Sequence, residues 1–224
     1  MTSQEPSASS QLRRRYSTPK RDERAAATRS KILAAARTLF LRDGYVRTSM
    51  KAIAQVAGVS EKTMYLAFAT KATLLRQVIQ LSVQGDEDDT PLSQRREWRE
   101  LVAGPVEDVF ARFATKNAIL MTRTADLIAL GEAAAATDPE LTEYRDRAHA
   151  ETRANLRALA AELNRRGALD PDTTEQEAAD TIYALATDES VFLRLIRECG
   201  WSPADYAQLI TRSLNAALGK TRRS

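Results

Sequence analysis

Residues 48–71, reading TSMKAIAQVAGVSEKTMYLAFATK, restrict the fold of this chain more than any other stretch. Ser49 is placed to cap a short helix whose apolar residues recur at helical spacing, namely Met50, Ile53, Ala54 and Ala57. Gly58 then ends that helix, because glycine adopts the left-handed backbone conformation without a Cβ clash. Ser60 is placed to cap a second helix, whose inward residues are Met64, Ala67 and Phe68. The pattern predicts a helix-turn-helix.

The outward face of the second predicted helix carries Lys62, Thr63 and Tyr65. An ammonium, a hydroxyl and a phenol donate to phosphate oxygens and reach base edges, which is typical of a recognition helix in the DNA major groove. The competing interpretation is an ordinary helical hairpin with a polar outer surface. The sequence on either side of the turn favours the first interpretation.

The flanking segments TRSKILAAARTLFLRDGYVRTSM and YLAFATKATLL resemble the TetR family of bacterial transcriptional regulators, whose motif ends in Tyr-x-x-Phe-x-x-Lys-x-x-Leu-Leu. The resemblance implies that Thr48 and Ser49 hold phosphates at the start of the second helix. It also implies that Thr63 and Tyr65 contact DNA from the recognition helix. Lys71 matches a phosphate-binding lysine that opens the fourth helix.

The predicted DNA-binding set is therefore Thr48, Ser49, Ser60, Lys62, Thr63, Tyr65 and Lys71. The chain departs from the family pattern at one place within this set. Glu61-Lys62 stands where the family usually has Lys-Gly after the capping serine, so the positive charge moves by one position.

Charge is divided unequally along the chain. Residues 1–80 contain 15 Lys and Arg against 5 Asp and Glu, whereas residues 81–224 contain 18 against 25. A basic head on an acidic body fits a nucleic-acid-binding end joined to a part that avoids nucleic acid. We expect residues 1–22, with the cluster Arg13-Arg14-Arg15, to form a disordered basic tail, or else an arginine arm that follows the DNA backbone.

The composition is that of a soluble globular protein, with 43% hydrophobic and 28% charged residues. No apolar run approaches the roughly eighteen residues of a membrane span, so we predict a cytoplasmic protein with no membrane partner. Cys199 is the single cysteine and His149 the single histidine, which excludes a disulfide framework and makes a metal site improbable. We predict no cofactor.

No strand-like alternation persists anywhere, so the predicted fold is all-α, with a three-helix DNA-binding head at residues 23–70 and a helical ligand-sensing and dimerisation body at residues 71–224. The first helix is expected from about residue 24 to 43. A connecting helix follows from the Thr70 cap to about residue 84, and residues 85–90 are expected to be a solvated loop.

The body is predicted to begin with a short helix near residues 94–102, followed by helical sequence from 105 to 136. We expect a break between 122 and 126, because an unbroken helix would exceed the usual length. Further helices are expected over 139–166, from the cap at Thr173 or Thr174, over 188–199, and over 203–218.

Two polar residues, Asn117 and Thr124, interrupt the apolar stripe of the helix after Pro105. Polar side chains on a core-facing stripe either bond within the fold or orient a ligand. The second alternative predicts an apolar ligand pocket lined by Trp98, Phe110, Phe113, Asn117, Met121, Tyr144 and Tyr183.

The last helices are more apolar than one monomer's core requires, which predicts a dimer interface formed by Val191, Phe192, Leu195, Tyr206, Leu209, Ile210 and Leu214. The competing interpretation is that these residues complete the monomer's own core. With the family resemblance, the pattern implies a homodimeric repressor released from a palindromic operator by a small molecule.

Two other classes of protein compete with this interpretation. A helical-bundle enzyme would need a nucleophile, an acid–base pair or a metal cluster, and the sequence contains no Glu-x-x-His, no paired histidines and no glycine-rich phosphate loop. A module that binds RNA or another acidic partner would need aromatic stacking platforms, and the outer face of residues 60–67 offers only Tyr65. The sequence therefore favours a non-enzymatic DNA-binding regulator.

Overall fold

A computed structural model of the chain describes residues 19–85 and 95–220, with the side chains of these ranges except residues 19–22, 97 and 98. The described residues form α-helices with short connections, as predicted, and their only β-type pairing is an isolated bridge between Leu169 and Gly219. The helices are α1 (Pro19–Arg47), α2 (Met50–Ala57), α3 (Glu61–Ala67), α4 (Lys71–Gln84), α5 (Arg96–Ala103), α6 (Val109–Ala135), α7 (Pro139–Arg165), α8 (Glu175–Ala186), α9 (Glu189–Arg197) and α10 (Pro203–Leu218).

The helix-turn-helix forms as the capping residues predict. Ser49 accepts a hydrogen bond from the backbone N of Ala52, and Ser60 accepts one from Thr63 N. Gly58 has φ 67° and ψ 35°, the left-handed conformation that closes α2. A second glycine, Gly44, breaks the helical path of α1 with φ 78°, where the sequence predicted that the first helix ends.

Three predicted element bounds differ from the structure or lie partly outside the described residues. α1 begins at Pro19, so the last four residues of the predicted disordered tail are helical. The predicted loop at residues 85–90 lies outside the described residues after Gly85, as do residues 1–18 of the predicted tail. The predicted break between 122 and 126 is wrong, because α6 runs unbroken from Val109 to Ala135.

Two features support the unbroken α6. The hydroxyl of Thr124 donates to the carbonyl of Leu120 one turn earlier, so its polar group is satisfied inside the helix. α6 also packs against α1, α4, α7, α9 and α10, which makes it the central helix of the body. A helix supported on several sides exceeds the usual length without a break.

One hydrophobic cluster unites the head with the connecting helix. It contains the predicted α1 stripe of Ile32, Leu33, Ala36, Leu39 and Phe40, together with Leu74, Leu75, Val78 and Ile79 of α4. The end of α6 and Leu141 of α7 belong to the same cluster. Movement of α4 is therefore coupled mechanically to the head and to two body helices.

A second cluster lies in the body and joins α6, α7, α8, α9 and α10, with Leu101 of α5. Capping boxes start α8 at Thr174 and α10 at Ser202. Beyond α10, the backbone N of Asp170 donates to the carbonyl of Leu218, which ties the end of the last helix to the turn before α8. None of the described helices is long and apolar enough to cross a membrane.

Candidate nucleic-acid interface

The exposed surface of α3 is the candidate interface. Met64 is fully buried and faces the core, whereas Lys62 and Leu66 are exposed and Tyr65 is 54% exposed. Thr63 is half-buried beside them. Of the predicted contacts, Lys62, Thr63 and Tyr65 therefore lie together on one accessible surface. Leu66, which is 80% exposed, was not included in the predicted set.

Ser49 and Ser60 are both exposed, and both act first as helix caps. The Ser49 oxygen lies 3.1 Å from Ala52 N, and the Ser60 oxygen lies 3.1 Å from Thr63 N and 2.8 Å from the Thr63 hydroxyl. A capping serine accepts a hydrogen bond and keeps its own hydroxyl hydrogen for a second partner. Ser49 thus retains its hydroxyl hydrogen for a phosphate oxygen, whereas Ser60 and Thr63 share one hydrogen bond and together keep one hydroxyl hydrogen for DNA.

Thr48 does not have the position that the resemblance implied. Its side chain is only 3% exposed. Its hydroxyl faces inward, with the carbonyl oxygens of Gly44 at 2.7 Å and Leu39 at 3.2 Å. A threonine hydroxyl has one hydrogen to donate, and here that hydrogen serves the end of α1. Thr48 shapes the α1–α2 connection instead of presenting its hydroxyl to DNA.

Lys71 is likewise turned inward. Its Nζ donates to the carbonyl oxygens of Tyr45 at 2.8 Å, Thr48 at 3.1 Å and Val46 at 3.5 Å. The same ammonium lies 4.3 Å from the centroid of the Tyr45 ring, and burial lowers the pKa of Lys71. The prediction that it is an outward phosphate contact is therefore wrong for this arrangement. Lys71 closes the exposed carbonyl end of α1.

Lys51 forms an ion pair with Glu61, the acidic residue at the start of α3. Its Nζ lies 3.8 Å from Oε1 of Glu61, and both side chains are exposed. Lys51 thus partly neutralises Glu61 across the turn between α2 and α3. This ion pair was not predicted, because the two residues are on different helices. Lys62 makes no ion pair within the described part of the chain, so its charge is free for DNA.

Polar contacts join the head to the start of α7. The Tyr45 hydroxyl donates to Oδ2 of Asp138 at 2.7 Å. Glu140 accepts hydrogen bonds from the hydroxyls of Thr70 at 2.9 Å and Thr73 at 2.6 Å. These bonds connect the end of α1 and the first turn of α4 to a single turn of the body. We call Tyr45, Thr70, Thr73, Asp138 and Glu140 the head–body latch.

The polar residues that suggested a ligand pocket bond within the fold. The Asn117 amide donates to the carbonyl of Ala186 at 2.8 Å and lies 3.3 Å from the Tyr206 hydroxyl. Thr124 is satisfied by its own helix, as described above. The alternative of structural satisfaction therefore holds for both residues, and neither orients a ligand in this arrangement.

The predicted pocket residues do not share one cavity. Phe110, Phe113, Asn117, Met121 and Tyr183 lie in or beside the second cluster, whereas Tyr144 packs against the first. The side chain of Trp98, in α5, lies outside the described residues. A groove of about 730 Å³ lies instead between α6 and α10, and it is lined by none of the six predicted residues whose side chains the structure describes.

The predicted dimer interface divides into two groups. Phe192, Tyr206, Ile210 and Leu214 are at most 4% exposed and form part of the second cluster, so for them the interpretation as the monomer's own core is correct. Val191, Leu195 and Leu209 are half-buried, and Leu195 packs partly against that cluster. Val191 and Leu209 remain as apolar residues at the surface, and Leu185 of α8 is 37% exposed.

Chemistry other than DNA binding has little support in the described residues. No group of three or more His, Cys, Asp or Glu side chains within the described ranges is arranged to hold a metal ion. His149 pairs with Glu132 at 2.9 Å, on the side of α6 that faces α7. The fold and its exposed surface define a helix-turn-helix DNA-binding protein with a helical body.

Comparison with known proteins identifies the family of the DNA-binding head. Residues 32–78 match the sequence profile of the bacterial regulatory proteins of the TetR family. No curated protein shows significant sequence similarity to the chain. Residues 32–78 therefore form a DNA-binding domain of the TetR family of bacterial regulatory proteins.

Solved structures share the fold over most of the chain. A TetR-family transcriptional regulator from Mesorhizobium loti MAFF303099 has 22% identity and a TM-score of 0.68, covering 88% of this chain and 98% of that chain. NalD, the secondary repressor of the MexAB-OprM multidrug efflux pump in Pseudomonas aeruginosa, has 22% identity, a TM-score of 0.65 and coverages of 90% and 100%. SmeT in its complex with triclosan has 21% identity, a TM-score of 0.65 and coverages of 88% and 93%.

Proposed function

We propose that this chain is a ligand-responsive repressor that binds a palindromic operator as a homodimer. The observation that carries the DNA-binding part is the outward face of α3, where Lys62 and Tyr65 are exposed on a basic head. Lys62 supplies a charge for phosphate, and Tyr65 supplies a hydroxyl and an aromatic edge for the major groove. Ser49 and Ser60 add hydroxyl donors to the DNA backbone on either side of the turn.

Dimerisation follows from the small size of one head. A single helix-turn-helix makes few base contacts, so proteins of this kind pair two heads on half-sites about one helical turn apart. The apolar residues Leu185, Val191 and Leu209 offer a pairing surface, because they are partly exposed and do not belong to the second cluster. We propose that α8, α9 and α10 of two copies meet through this surface.

The ligand is proposed to bind between α4 and α7, beside Arg76 and Tyr144. The Arg76 Nε is buried and has no hydrogen-bond partner among the described residues. An unsatisfied buried donor is costly, and a ligand oxygen that accepted its hydrogen would remove that cost. Burial also raises the pKa of the nearby Tyr144 to about 12, so its phenol stays protonated at neutral pH. SmeT with bound triclosan gives a precedent for small-molecule binding in this fold.

A ligand in this position would act on DNA binding through the latch. It regulates only to the extent that it binds one arrangement of α4 and α7 better than the other. The hydrogen bonds from Thr70 and Thr73 to Glu140 join the start of α4 to the first turn of α7, and the Tyr45–Asp138 bond joins the start of α7 to the head. A ligand that separates α4 from α7 would therefore change the position of each head in the dimer. NalD, which shares this fold, is a repressor, and this supports the proposal that the chain represses transcription.

DNA selection tests the DNA-binding part. Full-length protein is mixed with random duplexes, and the bound fragments are sequenced; we expect enrichment of one palindrome. Tyr65→Ala should reduce affinity for that palindrome at least tenfold with an unchanged melting temperature, since Tyr65 is exposed. Arg212→Ala, which removes an exposed cation from α10, is the control and should leave affinity unchanged. Failure to enrich any duplex would reject operator binding.

A panel of small carboxylic acids and their uncharged amides tests the ligand site. We expect one or more members to raise the melting temperature and release the selected duplex. Arg76→Met keeps the length of the side chain and removes the donor, so it should lose both responses. A ligand that acts equally on wild type and Arg76→Met would place the site elsewhere in the body.

A further inference from the structure

Leu66 has an exposure that folding does not explain. It is a large aliphatic side chain on α3, yet it is 80% exposed and packs against neither hydrophobic cluster. A leucine left in water contributes no burial energy to the fold. Val46 on the same head is 81% exposed, and Val56 on α2 is 59% exposed. Apolar surface is thus concentrated on the basic head, where the net charge favours a polyanion.

The geometry of α3 puts Leu66 at the centre of the outward face. Met64 is fully buried, and each residue of an α-helix turns by about 100°, so Leu66 and Lys62 both lie about 160° away from the buried direction. Lys62 and Leu66 are four residues apart and therefore neighbours on the same face. Tyr65 and Thr63 flank them. One of the two residues that face most directly away from the core is therefore apolar.

One group in the major groove matches this residue. The base edges present hydrogen-bond donors and acceptors, and the only apolar group among them is the C5 methyl of thymine. A leucine cannot satisfy a donor or acceptor, so opposite any other base it would leave a polar edge unpaired. We propose that Leu66 contacts a thymine methyl and makes thymine the preferred base at one position of each half-site. The inference rests on the operator binding proposed above and adds a specificity-determining residue to it.

The size of the effect follows from the area involved. Burial of one methyl-sized group corresponds to about a fourfold change in affinity. Deoxyuridine pairs like thymine and lacks only that methyl group. Replacing the contacted thymine with deoxyuridine in one half-site should therefore weaken wild-type binding about fourfold, without altering any base-edge hydrogen bond.

The experiment is a cycle of protein and DNA changes on the selected palindrome. Each thymine of one half-site is replaced singly with deoxyuridine, and the affinities of full-length wild type, Leu66→Ala and Leu66→Met are measured. We expect one position at which wild type and Leu66→Met lose about fourfold and Leu66→Ala loses nothing. Val56→Ala removes exposed apolar surface from α2 instead and should behave as wild type at every position.

The outcomes separate this inference from the proposed function. If a specific palindrome binds but Leu66→Ala keeps the wild-type methyl dependence, Leu66 does not read thymine and operator binding stands. If wild type is insensitive to every deoxyuridine replacement, the inference is also overturned. If no duplex is bound specifically, both are rejected together. Melting temperatures of the variants should equal that of wild type, because Leu66 and Val56 are exposed.

Discussion

The hydroxyl of Tyr45 donates a 2.7 Å hydrogen bond to Oδ2 of Asp138, which is also the N-cap of α7. The same carboxylate accepts from the backbone N of Glu140 and Leu141 through its other oxygen. One side chain therefore both starts a body helix and holds the end of α1. Burial and this carboxylate raise the pKa of Tyr45, so the phenol remains a donor throughout the neutral range.

Tyr45→Phe removes this bond and leaves the ring in place. A hydrogen bond to a charged acceptor contributes about 1.5–3 kcal/mol, so we expect the free energy of unfolding to fall by about 1.5 kcal/mol. Tyr144→Phe is the matched control, because Tyr144 is half-buried and its hydroxyl makes no hydrogen bond within the described ranges. Urea unfolding of both variants measures the difference. Equal losses of unfolding free energy in the two variants would show that the Tyr45–Asp138 hydrogen bond does not stabilise the fold.

Lys71 and Lys62 should respond differently to alanine substitution. Lys71→Ala leaves carbonyl oxygens at the end of α1 without their donor, and we expect a loss of about 2 kcal/mol in unfolding free energy. Lys62 is exposed, so Lys62→Ala should change stability by less than about 0.5 kcal/mol. It should instead reduce the slope of log affinity against log salt by about one. Thermal melts and salt titrations of DNA binding on both variants test this, and a stable Lys71→Ala protein would contradict it.

Leu209 and Leu214 lie on the same helix with different burial. Leu214 is fully buried in the second cluster, so Leu214→Arg should leave an unpaired charge in the core and cost about 3–5 kcal/mol, enough to prevent folding. Leu209 is half-buried at the proposed pairing surface. Leu209→Arg should therefore fold with a near-normal helical signal and sediment as a 24.8 kDa monomer. A folded dimer of Leu209→Arg would move the pairing surface elsewhere.

The capping boxes of α8 and α10 make the stability of the body depend on pH in the acidic range. Hydrogen bonds from the backbone and hydroxyl of Thr174 hold the pKa of Glu177 below its ordinary value of 4.5. Hydrogen bonds from the hydroxyl and backbone of Ser202 hold the pKa of Asp205 below 3.8. A carboxylate whose pKa is lowered on folding stabilises the fold above its ordinary pKa, and that stabilisation is lost as the pH falls.

We therefore expect the melting temperature to decline as the pH is lowered from 6 through the range below about 4.5. The double variant Glu177→Gln, Asp205→Asn should show a smaller decline, because neither amide titrates. Melting curves at several pH values, with matched ionic strength, measure both proteins. Parallel declines would show that other carboxylates control acid stability.

Local structure was largely predictable because its signals act over a few residues. Ser49, Ser60 and Thr70 cap helices three residues ahead of the amides that they accept from, and Gly58 closes a turn within its own backbone. Apolar spacing placed α1, α4, α7 and α10 within a few residues of their observed bounds, except that α1 starts earlier. The all-α fold and the exposed set on α3 followed from the same short-range patterns.

The sequence by itself determined the helices, their caps and the presence of a helix-turn-helix, because each depends on neighbours one turn away. Tertiary structure decided which hydrogen-bond partner each of several polar side chains has. Asn117 bonds Ala186, Tyr45 bonds Asp138, and Lys71 closes the end of α1, and in each pair the partner lies on another helix or at its end. Only the crossing of helices brings such atoms together. The same crossing decides which face of an apolar helix is covered, so Leu214 became core while Leu209 stayed at the surface.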